Sequence, residues 1–169
     1  LNAYLFDYRS FWKSDSKITS ENELYYDNNF IYNYILNTWV KENDIIIWWH
    51  SLSWEMAIDK AQNKNIYGLI VQSSFYSMID MAKSRYPFLP INYLLKYKFE
   101  SNKKLENIKT KALFMHSKID ETIDFENWIK LFNNFTWEKY FLELYWKHNN
   151  WYMDNYEEYI KTLKEFLKR

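Results

Sequence analysis

The 169 residues are 48% hydrophobic and 22% aromatic, and 22 basic side chains balance 22 acidic ones, so the chain has material for one core but no basic stripe for nucleic acid. Without cysteine there is no disulfide framework, thiolate zinc site or cysteine nucleophile, and three histidines leave little for a histidine-rich metal site. No apolar run approaches the roughly 18 residues of a membrane span, and no basic region followed by an apolar stretch opens the sequence.

Residues Asn2–Tyr8 read as a short aromatic strand followed by a polar loop through Thr19. Ser20 and Glu23 form an S-x-x-E capping box for a helix whose apolar face is Leu24, Phe30, Ile31, Ile35 and Leu36. The β-branched run Asp44–Trp48 predicts a strand, and Leu52–Gln62 the helix behind it. Tyr67–Gln72 and Met78–Arg85 repeat the strand–helix step across the loop Ser73–Ser77. Tyr86–Pro90 holds both prolines, and residues 86–108 read as short amphipathic helices inserted before the next strand, the segment best suited to act as a lid. Lys111–His116 is a strand, Asp124–Phe135 a helix, Glu138–Tyr145 a strand. Tyr152–Leu167 closes the chain as a helix with a stripe of Tyr156, Tyr159, Ile160, Leu163 and Phe166. Alternation of strand and helix over residues 1–169 predicts a single α/β domain, a mostly parallel sheet covered by helices on both faces.

In such sheets, reactive groups lie in loops beyond the carboxyl ends of strands. His50 and Ser51 follow the strand ending at Trp48, His116 and Asp120 the strand ending at Met115, and His148 the strand ending at Tyr145. A serine, an acid and a histidine thus stand in that chain order, each at its own strand end. Taken singly, Ser51 reads equally as a helix N-cap, Asp120 as a turn residue and His148 as a surface histidine. His50 and His116 read as residues that position loops, and Arg9 as one that holds its loop by ion pairs. The aromatic abundance admits a carbohydrate-binding surface as a weaker reading.

Four stretches together resemble the Bem46-like serine hydrolases of the α/β-hydrolase fold. They are Phe6-Asp7-Tyr8-Arg9-Ser10-Phe11-Trp12-Lys13-Ser14 (family pattern F-D-Y-R-G-Y-G-x-S), Trp49-His50-Ser51-Leu52-Ser53 (the G-x-S-x-G nucleophile elbow), His116-Ser117-Lys118-Ile119-Asp120 (H-G-x-x-D) and Trp146-Lys147-His148-Asn149 (G-x-H-N). The resemblance implies Ser51 as nucleophile, His148 as general base and acid, Asp120 as the residue orienting it, and the Leu52 N–H as one oxyanion donor. It implies a small-molecule or acyl ester, thioester or amide as substrate and no cofactor. Membrane attachment would come only through a segment upstream of Leu1, in a cytoplasmic or membrane-associated rather than secreted protein. A binding or scaffold protein of the same fold, with the elbow blocked, is the alternative.

The departures from the family pattern share a direction. Ser10, Trp12, Ser16, Trp49, Ser53, Ser117 and Trp146 stand where the family has glycine, and Gly68 is the chain's one glycine against nine tryptophans, where average usage gives about a dozen glycines. Turns with positive φ are therefore expected at Asn, Asp or Ser. Trp49 is expected to force the elbow open or push into the neighbouring strand, at about 1–3 kcal/mol or more. The resemblance also places a further strand between Asn2–Tyr8 and Asp44–Trp48, and with it the second oxyanion donor. These residues hold no such strand, which predicts more strands upstream, a gap between the two segments and a marginally stable fragment.

Overall fold

Four short strands pair in parallel, each beside its sequence neighbour: β1 (Ile46–His50), β2 (Gly68–Gln72), β3 (Ala112–Ser117) and β4 (Lys139–Leu144). The computed structural model describes residues 2–10, 13–148 and 156–168. Parallel neighbours need a crossover between them, and helices supply it. α1 (Glu21–Asn37) precedes the sheet, α2 (Trp54–Ala61) joins β1 to β2, and α3 (Met78–Arg85) and α4 (Ile91–Leu94) lie between β2 and β3. α5 (Phe125–Asn134) joins β3 to β4, and α6 (Tyr156–Phe166) follows β4. The expected start of the last helix at Tyr152 falls outside the described residues.

Strand alternation divides the core in two. Leu69, Val71, Ala112 and Phe114 face α2 and α5 through Trp54, Ala57, Ile58, Trp128 and Leu131, whereas Ile70, Leu113 and Met115 face α6 through Tyr159, Leu163 and Phe166. Helices thus cover both faces, as the alternation of elements implies. α3 has the bounds expected from sequence, while the 86–108 insertion contains α4 and two single turns of 3₁₀ helix. That insertion is tied to α2 through Glu55. Its fully buried carboxylate accepts hydrogen bonds from Tyr25 at 2.9 Å, Lys104 at 2.6 Å and Ser101. A buried carboxylate costs several kcal/mol to desolvate, and three donors offset that cost.

Several expectations are corrected. Residues 2–8 form no strand, so the gap expected between two strands does not arise; a strand needs a partner ladder, and the side chains of this segment pack instead. Phe6 and Tyr8 meet edge-on at 5.2 Å, and Tyr8 is buried against Leu24, Met56 and Phe99. Arg9 tethers the segment to α1 by paired hydrogen bonds to Asp27, with Nε 2.7 Å from Oδ2, and by a 3.6 Å ion pair to Glu23. On α1, Leu24 and Tyr32 are buried, but Phe30 lies on the outer face at 65% exposure; on α6, Tyr156 is 61% exposed. Both positions satisfy helical spacing, and it is the partner element, here limited to one side, that decides which stripe is covered.

Positive φ falls mainly where the glycine shortage places it, at Ser10, Ser16, Ser51, Asn63 and Ser73, but also at Trp39 and Phe99. Ser10 repairs its own turn: its hydroxyl donates to the Ser16 carbonyl at 3.2 Å and accepts from the Ile18 N–H at 2.7 Å. Trp39 occupies the residue after the α1 cap Thr38, a position usually given to glycine. Trp12 lies outside the described residues.

Gly68 serves close packing, because its φ is not positive. A Cβ there would meet the Phe166 ring at 2.9 and 3.0 Å. Gly68→Ala is expected to lower stability by about 1–3 kcal/mol, and Phe166→Leu in the same chain to restore part of that loss. A denaturant-melt double-mutant cycle that gave additive effects would refute the contact.

Candidate active site

β1, β3 and β4 run in the same direction, so their carboxyl ends share one rim of the sheet, and Ser51, Asp120 and His148 follow those ends. β1 runs in register with β2 through its last residue, with Trp49 opposite Val71 and His50 opposite Gln72. The next residue, Ser51, has φ 58° and opens a 3₁₀ turn, Ser51–Ser53, that leads into α2. A left-handed conformation in a residue with a side chain costs about 1–2 kcal/mol. It turns the chain sharply and leaves the hydroxyl at the strand end. Ser53 is the residue at the cap position of α2, and Ser51 Oγ instead lies 2.8 Å from His148 Nε2.

His148 Nδ1 lies 2.8 Å from Asp120 Oδ2. An ionised carboxylate only accepts, so Nδ1 carries the proton and Nε2 is left to accept from the Ser51 hydroxyl. Burial opposes ionisation of Asp120. Hydrogen bonds from His148 and from the backbone N–H groups of Ile123 and Thr122 outweigh it, and the carboxyl is held below its ordinary range. Asp120 makes two sets of contacts. Oδ1 organises its turn by accepting from Thr122 and Ile123, both at 2.9 Å, while Oδ2 binds the imidazole. His148 is 5% exposed, which removes the surface reading.

Trp49 neither opens the turn nor displaces β2, contrary to expectation. β1 is an edge strand among the described residues, which gives the indole room. The ring stacks on Tyr8 at 5.9 Å and meets Phe6 edge-on at 5.6 Å. Its Nε1 is buried without a hydrogen-bond partner among the described residues, a local cost of this arrangement. Ser117, at another family glycine position, uses its carbonyl to accept from the Asp120 N–H at 3.2 Å and its hydroxyl to accept from Ile119. Trp146 is buried against Tyr159, and Asn149 lies outside the described residues. Leu52 lies in the first turn after Ser51, where backbone N–H groups have no acceptor within the helix.

Two supporting residues escape sequence reading. Glu121 Oε2 accepts from the His148 backbone N–H at 3.2 Å, binding the histidine loop to the aspartate loop. Ser74 Oγ donates to the Gln72 carbonyl at 3.1 Å and also reaches the Ser51 carbonyl at 3.4 Å. Neither stands in a recognisable motif; adjacency to Asp120 is the only sign of the first.

His50 and His116 flank the site. The His50 ring lies 5.2 Å from that of His148, and its Nε2 is buried without a hydrogen-bond partner among the described residues. Burial, then the neighbouring His148, lowers its pKa, against the opposing influence of the His148 backbone and Asp120. His116 is fully buried, stacked parallel on Trp128 at 5.2 Å, and its Nε2–H donates to the Ile123 carbonyl at 3.2 Å. That bond clamps the loop carrying Asp120. Burial lowers the His116 pKa to about 4 and outweighs the nearby carboxylates.

No family model matches the chain. It is 32% identical to the uncharacterized protein R595 of Acanthamoeba polyphaga mimivirus over 98% of its own length, and spans 63% of that protein. Among solved structures it resembles the Pyrococcus furiosus esterase Pf2001, with a TM-score of 0.73 and 16% identity, covering 96% of this chain and 68% of that one. An alpha-beta hydrolase from Vibrio vulnificus matches with a TM-score of 0.73 and 20% identity over 92% of this chain and 61% of that one. An acetyl xylan esterase from Paenibacillus sp. R4 matches with a TM-score of 0.63 and 14% identity over 85% and 52%. The fold is that of the α/β-hydrolases.

The buried neutral His116 makes stability depend on pH. Below its ordinary pKa of 6.5 the unfolded chain takes up a proton that the folded chain refuses until about pH 4. Stability therefore falls as pH falls across that window, by on the order of 3 kcal/mol. Urea melts across this range should show the decline and His116→Gln should flatten it; equal slopes in both proteins would refute the assignment.

Proposed function

We propose that this chain is a serine hydrolase that cleaves an ester, thioester or amide bond through an acyl-serine intermediate, as its resemblance to Bem46-like proteins implies. The observation that carries the reading is the unbroken pair of 2.8 Å contacts from Ser51 Oγ through His148 to Asp120, starting at a left-handed serine on a strand end. The fold likeness to esterases is consistent with it.

In this mechanism His148 Nε2 takes the Ser51 proton as Oγ bonds to the acyl carbonyl carbon. Asp120 stabilises the imidazolium that forms and keeps Nε2 aimed at the reaction. The carbonyl oxygen gains negative charge and is met by the Leu52 N–H. His148 then returns the proton to the departing alcohol, thiol or amine, and the acyl–oxygen, acyl–sulfur or acyl–nitrogen bond breaks. A water deprotonated by the same imidazole attacks the acyl-serine and releases the acid, restoring Ser51. No cofactor enters these steps. The scaffold alternative rests on Trp49 obstructing the elbow, and an indole packed against Phe6 and Tyr8 speaks against it.

Incubation with a fluorophosphonate probe should label the chain covalently, and Ser51→Ala should abolish labelling. Asp120→Asn should lower kcat on an activated acyl ester by about three to four orders of magnitude while the fold persists. A folded parent chain that takes no label, or a Ser51→Ala variant that still does, would overturn the proposal.

A further inference from the structure

From Met81 through Phe99 the sequence contains no acidic residue, while Lys83, Arg85, Lys96 and Lys98 carry four positive charges. Within that run Tyr86, Phe88, Leu89, Tyr93 and Leu94 are exposed, Phe88 at 97% and Tyr93 at 90%. Isolated apolar side chains on a surface are ordinary, but several exposed within one short segment and flanked by basic residues mark an interaction site.

The segment is held in this conformation. The Tyr86 N–H donates to the Ala82 carbonyl at 2.8 Å, that of Leu89 to Tyr86 at 3.1 Å and that of Ile91 to Leu89 at 2.8 Å. Pro87 and Pro90 fix their own φ, and Ile91, 5% exposed, anchors the run in the domain. Its outward side chains are therefore displayed by a braced loop. The run also begins beside the candidate active site, because Arg85 Nη1 donates to the Thr122 carbonyl at 3.5 Å in the loop that carries Asp120.

We infer that this surface docks on an anionic lipid bilayer. Phe88, Leu89 and Leu94 enter the acyl boundary, Tyr86 and Tyr93 sit at headgroup depth with an apolar ring and a polar hydroxyl, and the four cations meet lipid phosphates. The charge pattern selects this occupant: exposed Lys83, Arg85, Lys96 and Lys98 flank the apolar group, while the neighbouring carboxylates are engaged elsewhere, Asp80 with Lys130 at 4.0 Å, Glu100 with Lys103 at 2.8 Å and Glu21 with the backbone N–H groups of Lys98 and Phe99, which leaves the cations to meet an extended surface of negative sign. Attachment through this surface lies within the given residues and is independent of any segment upstream of Leu1. The inference does not depend on hydrolysis.

Co-sedimentation of the whole chain with vesicles tests it. The chain should partition onto phosphatidylcholine vesicles containing phosphatidylserine, bind pure phosphatidylcholine weakly, and release with added salt. Phe88→Ser with Tyr93→Ser should reduce partitioning tenfold or more, roughly the loss of one buried aromatic or greater. Lys83→Gln and Lys96→Gln should each reduce it about fivefold. All four side chains are exposed, so thermal melts should match the parent, and Ser51→Ala should bind as the parent does, which separates this result from the fate of the hydrolase proposal. The inference is overturned if phosphatidylserine makes no difference or if the Phe88/Tyr93 double variant binds as well as the parent. It is equally overturned if lipid-free chains self-associate through this surface, shown by sedimentation velocity and lost in the double variant, without binding vesicles.

Discussion

Parallel pairing is the constraint from which the rest of this molecule follows. Because β1, β3 and β4 all run the same way, the loops after them emerge on one rim, and a serine, an aspartate and a histidine with no sequence proximity become neighbours there. An antiparallel strand in any of these places would send its loop to the opposite rim. The two core layers hold the sheet rigid enough for this convergence to be defined at hydrogen-bond distances.

The geometry at the rim depends on groups outside the chain of contacts from Ser51 through His148 to Asp120. His116 clamps the Asp120 loop by one hydrogen bond and one stacked indole, and Glu121 joins that loop to the backbone of His148. Ser51 is held in its left-handed conformation by a strand in full register on one side and a helical turn on the other. Strain of this kind persists only where the surroundings over-determine the backbone. Ser10 shows a milder form of the same solution, with a serine hydroxyl compensating locally for a missing glycine.

Much of this was legible from residue order. The runs at Lys111–His116 and Met78–Arg85, and the helix over Asp124–Phe135, whose first residue accepts from the Asn127 N–H, involve local signals that tertiary structure had no reason to override. The placement of Ser51, Asp120 and His148 after strand ends was legible for the same reason. What could not be read depends on neighbours. Among the described residues, Asn2–Tyr8 has strand composition but no ladder to join, Phe30 and Tyr156 have helical spacing but lie exposed, and Trp49, expected to open the elbow or press on the neighbouring strand, packs its indole on Phe6 and Tyr8. Glu55, buried with three donors from two segments, gave no sign because each donor lies more than twenty residues away.

Ser51 and His148 are separated by 97 positions, and Asp120 and His148 by 28. Closing loops of that size is entropically unfavourable until strand pairing rewards it. A half-folded chain, however helical, therefore has no route for a proton between hydroxyl and carboxylate. That route exists only once β1, β3 and β4 are paired, so the 2.8 Å contact of Ser51 with His148 reports long-range pairing and not local helix content.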